Sequence, residues 1–271
     1  MLDPIFICIV LGLFVGLVLG LTGAGGSIIA VPLLAFGLHL SMTKAAAIGL
    51  LAVMLAATVG AIQGFRAGIV RYKAATLIAT LGVLLAPVGV WLALQLPNQV
   101  LSILFSMVLV YVAWRMWQQS AKIIELDIEK QAPACAVNPA TSKLFWTASC
   151  TQKLIATGGL VGFLSGLLGV GGGFVIVPTL TKVSNLEMRS IVATSLAVVA
   201  LVSASSVASS LYHQEIDWAI GGPFTVATLI GMLGGGMLSG RLSSKITQRG
   251  FSILALFIAI ALLIKLLVTG H

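Results

Sequence analysis

Residues Gly16–Pro32 read GLVLGLTGAGGSIIAVP, and residues Gly162–Pro178 read GFLSGLLGVGGGFVIVP. The offset between them is 146 residues with no gap, and Gly16, Gly20, Leu21, Gly23, Gly25, Gly26, Val31 and Pro32 each meet an identical residue. Each phrase interrupts a long apolar stretch. A glycine-broken apolar segment at the same place in two halves of a chain is a recurring way of building a transport site in a duplicated membrane protein.

Composition points the same way. Hydrophobic residues make up 59% of the 271-residue chain and charged residues 8%, against roughly 25% charged in soluble domains. Eight apolar segments can be read, at 5–38, 45–65, 74–94, 98–117, 154–181, 189–212, 218–240 and 250–268. Several reach the ~18-residue threshold for spanning a bilayer. The expected fold is an all-α polytopic membrane protein with a first repeat over 1–117, a polar linker over 118–152 and a second repeat over 153–271. The register persists beyond the glycines: Ala47 and Leu50 fall on Ala193 and Leu196, Gly89 on Gly235, and Phe105 on Phe251. Asp3 stands where a signal peptide would be basic, so the first segment is expected to remain in the mature protein.

Residues 5–38 are too long for one spanning helix: about 34 residues rise about 50 Å, against a hydrocarbon core of about 30 Å. Gly23, Gly25 and Gly26 divide the stretch into arms of about 18 and about 12 residues, and Gly169, Gly171, Gly172 and Gly173 divide 154–181 in the same way. Loop charge decides between a kinked crossing and a hairpin. If each long segment crosses once, Lys and Arg divide nine to six between the two faces. If each is a hairpin returning to its starting side, thirteen fall on one face and only Lys44 and Lys265 on the other. The positive-inside rule selects the hairpins. Inverted-topology repeats follow, with both termini outside, the linker in the cytoplasm and the chain in the cell (inner) membrane. The net charge of +8 then belongs to orientation signals and headgroup contacts rather than to a nucleic-acid site.

A chain reversal at each glycine core starts a new half-helix whose N–H groups and positive dipole end point into the protein. Two such ends, at Gly25–Ser27 and Gly171–Gly173, can hold an anion without a charged side chain. The candidate substrate-binding residues are therefore Thr22, Gly23, Gly25, Gly26, Ser27, Gly169, Gly171, Gly172 and Gly173, with Gln63, Thr194 and Ser195 as polar residues of the following segments. Pro32 and Pro178 are expected to bend the half-helices. Gly12, Gly16, Gly20 and Gly158, Gly162, Gly166 instead have the spacing of tight helix packing. Hydroxyls such as Ser203, Ser205, Ser206, Ser209 and Ser210 read mostly as bonded to their own helix backbone.

None of the seven carboxylates lies in the middle of an apolar segment, which disfavours proton relays and cation sites. No Ser/His/Asp set or HExxH motif is present, so an enzyme is not expected, nor a metal or other cofactor. Cys8, Cys135 and Cys150 have no metal spacing and read as unpaired thiols.

The paired phrase G-x-x-G-x-G-G-[SG]-x(4)-P, from Gly20 to Pro32 and from Gly166 to Pro178, resembles the TauE/SafE family of membrane permeases, as do Ala193-Thr194-Ser195-Leu196 and Ile216-Asp217-Trp218. The first half carries Ile48-Gly49 in place of Thr194-Ser195. The resemblance implies a permease for a small sulfur-containing oxoanion or sulfonate. The expected partners are that anion and the lipid bilayer, with association between copies of the chain left open. A passive anion channel and a non-transporting membrane assembly factor are the alternatives.

Overall fold

The computed structural model describes residues 4–23, 25–122, 135, 147–184, 186–213, 216–239 and 244–268. Within these residues there are ten helices: α1 (Pro4–Thr22), α2 (Gly26–Gly37), α3 (Met42–Arg66), α4 (Tyr72–Gln95), α5 (Asn98–Lys122), α6 (Ala148–Leu168), α7 (Gly173–Val183), α8 (Met188–His213), α9 (Trp218–Ser239) and α10 (Ser244–Val268). Each of the two long apolar segments is a pair of helices. Six helices (α1, α3, α4, α5, α8 and α9) carry stretches long and apolar enough to cross a membrane.

Helix ends extend past the apolar runs where caps allow. Thr147 caps α6 by accepting the Cys150 N–H at 3.1 Å, so α6 begins six residues before the apolar run at 154. Most of the linker, 123–134 and 136–146, lies outside the described residues.

The first pair of helices folds back on itself. A Cβ on Gly26 would stand 2.6 Å from both the Val15 carbonyl oxygen and Leu19 Cβ, and one on Gly37 would stand 2.7 Å from Leu11 Cδ1. Successive residues of α2 therefore meet earlier and earlier residues of α1. In the second pair, Gly172 packs on Val161, the residue equivalent to Val15.

The closest helix packing runs between halves. Gly12 faces Phe224, Gly16 faces Thr228 and Gly20 faces Met232 and Gly236, so α1 lies parallel to α9. The counterpart pair obeys the same rule: Gly158 faces Ile78, Gly162 faces Gly82 and Gly166 faces Ala86 and Val90, which sets α6 parallel to α4. Here glycine lets one backbone touch another, as small residues do in membrane helix pairs. The central pair differs. Gly60 meets Leu196 and Gly64 meets Ala193, so α3 and α8 run antiparallel.

Cys135 and Cys150 form a disulfide, with Cα atoms 5.2 Å apart, which corrects the reading of unpaired thiols; Cys8 is free and buried. The Cys135 N–H donates to the Val183 carbonyl at 2.9 Å, bringing the linker beside the end of α7. That long-range pairing has no signature in cysteine spacing.

Candidate functional site

The second glycine turn is built by its sequence. Gly169 ends α6 in the left-handed region, its N–H donating to the Ser165 carbonyl at 2.9 Å. Gly169, Gly171 and Gly172 have φ of +73°, +65° and +72°, a conformation that costs side-chain-bearing residues about 1–2 kcal/mol each. Gly172 then caps α7, and no side chain occupies the cap. The first N–H groups of a helix have no partner within it, and here they carry the positive end of the helix dipole into buried surroundings.

This turn reaches the centre of the molecule. A Cβ on Gly171 would lie 3.0 Å from Ser203 Oγ, 3.1 Å from Val199 Cγ1 and 3.3 Å from Val53 Cγ1. Val53 is the twelfth residue of the 25 in α3, and Val199 the twelfth of the 26 in α8. The turn thus meets the antiparallel pair midway along both helices.

Ser203 is fully buried, and its hydroxyl has no hydrogen-bond partner in the protein. Ser195, two turns earlier on α8, is likewise buried with an unpartnered hydroxyl. Buried polar groups are nearly always satisfied, so the Ser203 hydroxyl, beside the turn that opens α7, is the candidate contact for a polar ligand; the buried Thr225 and Ser252 hydroxyls also have no partner among the described residues. Ser195 is a candidate from the sequence; Ser203, expected to bond its own helix backbone, does not.

Three other hydroxyls of α8 bond across to neighbouring segments. Thr194 donates to the Ser190 carbonyl at 2.7 Å and accepts the Arg71 N–H at 3.0 Å. Ser190 donates to the Ile69 carbonyl at 2.6 Å, and Ser205 to the Val83 carbonyl at 2.9 Å. Thr194, a sequence candidate, therefore ties α8 to the start of α4. Gln63 is exposed in the last turn of α3, ten residues beyond Val53 and so about 15 Å along the helix.

The first glycine turn is not a copy of the second. Gly23 has φ +72°, but Gly25 has φ −74°. Thr22 donates to the Val18 carbonyl and accepts the Gly25 N–H, both at 2.8 Å, bracing the turn. The nearest neighbour of a Cβ on Gly25 would be the Phe251 ring of α10, at 2.6 Å. Gly26 and Ser27 open α2 and are buried. Pro32 and Pro178 lie inside α2 and α7, where each removes one backbone donor.

Six helices long and apolar enough to cross a membrane, with a glycine turn buried against two of them, make this a multi-pass membrane protein. The sequence matches the family described as "Sulfite exporter TauE/SafE" over residues 8–262, and the chain belongs to that family. It is 29% identical over 253 residues to a "Probable membrane transporter protein" of Xylella fastidiosa (strain 9a5c), covering 92% of this chain and 91% of that one. It is also 25% identical over 261 residues to the "Probable membrane transporter protein YunE" of Bacillus subtilis (strain 168), covering 90% of each. No solved structure matches.

Proposed function

We propose that the chain is a permease for a small anion, a sulfur-containing oxoanion or a sulfonate, bound at the turn of Gly171 and the hydroxyl of Ser203. The observation that carries this is the unpartnered, fully buried Ser203 hydroxyl beside the left-handed glycines that open α7. The sulfur chemistry comes from the family's description. Backbone N–H groups and hydroxyls suit an oxoanion because they donate without bringing a compensating cation into lipid.

Inverted repeats supply the route. Helices α3 and α8 hold equivalent places in the two repeats and run antiparallel, which supports a two-fold axis in the membrane plane. The cross-half pairs α1–α9 and α4–α6 make composite bodies, α1–α2–α9 and α6–α7–α4, and these, rather than the sequence halves, rock to alternate access. An uptake screen of sulfite, thiosulfate, taurine and sulfoacetate in proteoliposomes tests the reading. Saturation with counterflow identifies a carrier, linear flux a channel, and no flux for any of the four rejects the function.

A further inference from the structure

A groove of ≈ 360 Å³ lies between α5 and the α6–α7 hairpin, apart from the glycine turn itself. Met107, Tyr111 and Arg115 line one wall and Leu160, Leu164 and Phe174 the other. From Met107 to Arg115 it follows α5 for about 12 Å. Met107, Tyr111 and Leu160 are all about half exposed, so the groove opens sideways from a membrane-spanning chain, where the neighbouring solvent is lipid.

One end of this apolar groove is polar. Arg115 donates from one Nη to the Tyr111 hydroxyl at 2.8 Å, and its Nε is shielded and has no acceptor in the protein. Trp114 and Trp117 flank Arg115 and are exposed, as aromatic belt residues are at headgroup depth. Lys153, near the start of α6, and Lys182, near the end of α7, are exposed at the same end of the hairpin. The repeat makes the charge stand out: 146 residues on, Tyr111 and Arg115 become Phe257 and Ala261. The cation therefore is not demanded by the fold, which builds the equivalent helix without it.

We propose that this groove binds an anionic phospholipid, with the phosphate on Arg115 and Tyr111 and one acyl chain lying along the groove to Met107. Arg115 in the groove, with Lys153 and Lys182 exposed at one end of the hairpin, favours a net-negative headgroup over a zwitterionic one. Phe174 follows Gly173 directly, so the chain packs on the hairpin that carries the glycine turn, and its departure loosens that hairpin.

The test is thermal unfolding of the purified protein in detergent, with phosphatidylglycerol, phosphatidylcholine or inorganic phosphate added. Phosphatidylglycerol is expected to raise the unfolding midpoint of the wild type, and phosphatidylcholine and phosphate are expected to do much less. Arg115→Gln should lose at least half of the shift, as should Met107→Trp, which fills the deep end at an exposed position and leaves the core intact. An equal shift with phosphatidylcholine, an equal shift with phosphate alone, or undiminished shifts in both variants overturns the proposal. The readout does not depend on which solute is transported.

Discussion

Ser203→Ala separates a ligand-binding hydroxyl from a structural one, because the two roles move stability and transport in opposite ways. The Ser203 hydroxyl is buried without a partner, and an unsatisfied buried polar group costs about 1–3 kcal/mol. Removing it should leave the unfolding midpoint of the ligand-free protein unchanged or raised. A hydrogen bond to a charged partner contributes about 1.5–3 kcal/mol, and about 1.4 kcal/mol is a tenfold change in affinity. The half-saturating concentration of the transported anion should therefore rise roughly tenfold to 150-fold. The assay is initial uptake against concentration in proteoliposomes, with thermal unfolding on the same preparation. Unchanged half-saturation together with a lowered unfolding midpoint would refute the reasoning, since that pair of results belongs to a hydroxyl that packs rather than binds.

Three further outcomes are expected. Gly162→Leu drives a side chain into the Gly82 backbone of α4 and should abolish the folded, monodisperse protein, whereas Gly159→Ala, which meets nothing within 4 Å, should be neutral or stabilise by up to about 1 kcal/mol. With the linker face in the cytoplasm, Cys135 and Cys150 should be reduced in intact cells and bridge after extraction without reductant. Trapping with a membrane-permeant maleimide under denaturing conditions should therefore count three thiols, Cys8 included; a count of one, with Cys135 and Cys150 already bridged in cells, would place that face outside. A reporter fused after His271 should be active only on the outside, and cytoplasmic activity would sink the inverted topology.

What could be read in the sequence was depth and repetition. The arms of about 18 and about 12 residues correspond to α1 (19 residues) and α2 (12 residues) because glycine clusters end helices visibly. The spacing of Gly12, Gly16 and Gly20 announced close packing, but not that the partner would be α9 of the other half, since small-residue spacing carries no address. Hydroxyls were the least legible. Thr194 and Ser203 look alike in sequence, yet Thr194 is occupied by Ser190 and Arg71 while Ser203 has no partner. Only their neighbours in three dimensions distinguish them. The Cys135–Cys150 bridge was hidden for the same reason, as it depends on the linker reaching Val183.

The central claim, that an anion crosses the membrane beside Gly171, is tested most directly by labelled sulfite uptake into proteoliposomes of the wild type and Gly171→Leu. Leucine there meets a φ of +65° and fills the space between Ser203, Val199 and Val53. Saturable uptake by the wild type, lost in a variant that still inserts, is the predicted result. Equal uptake by the two proteins would contradict the account.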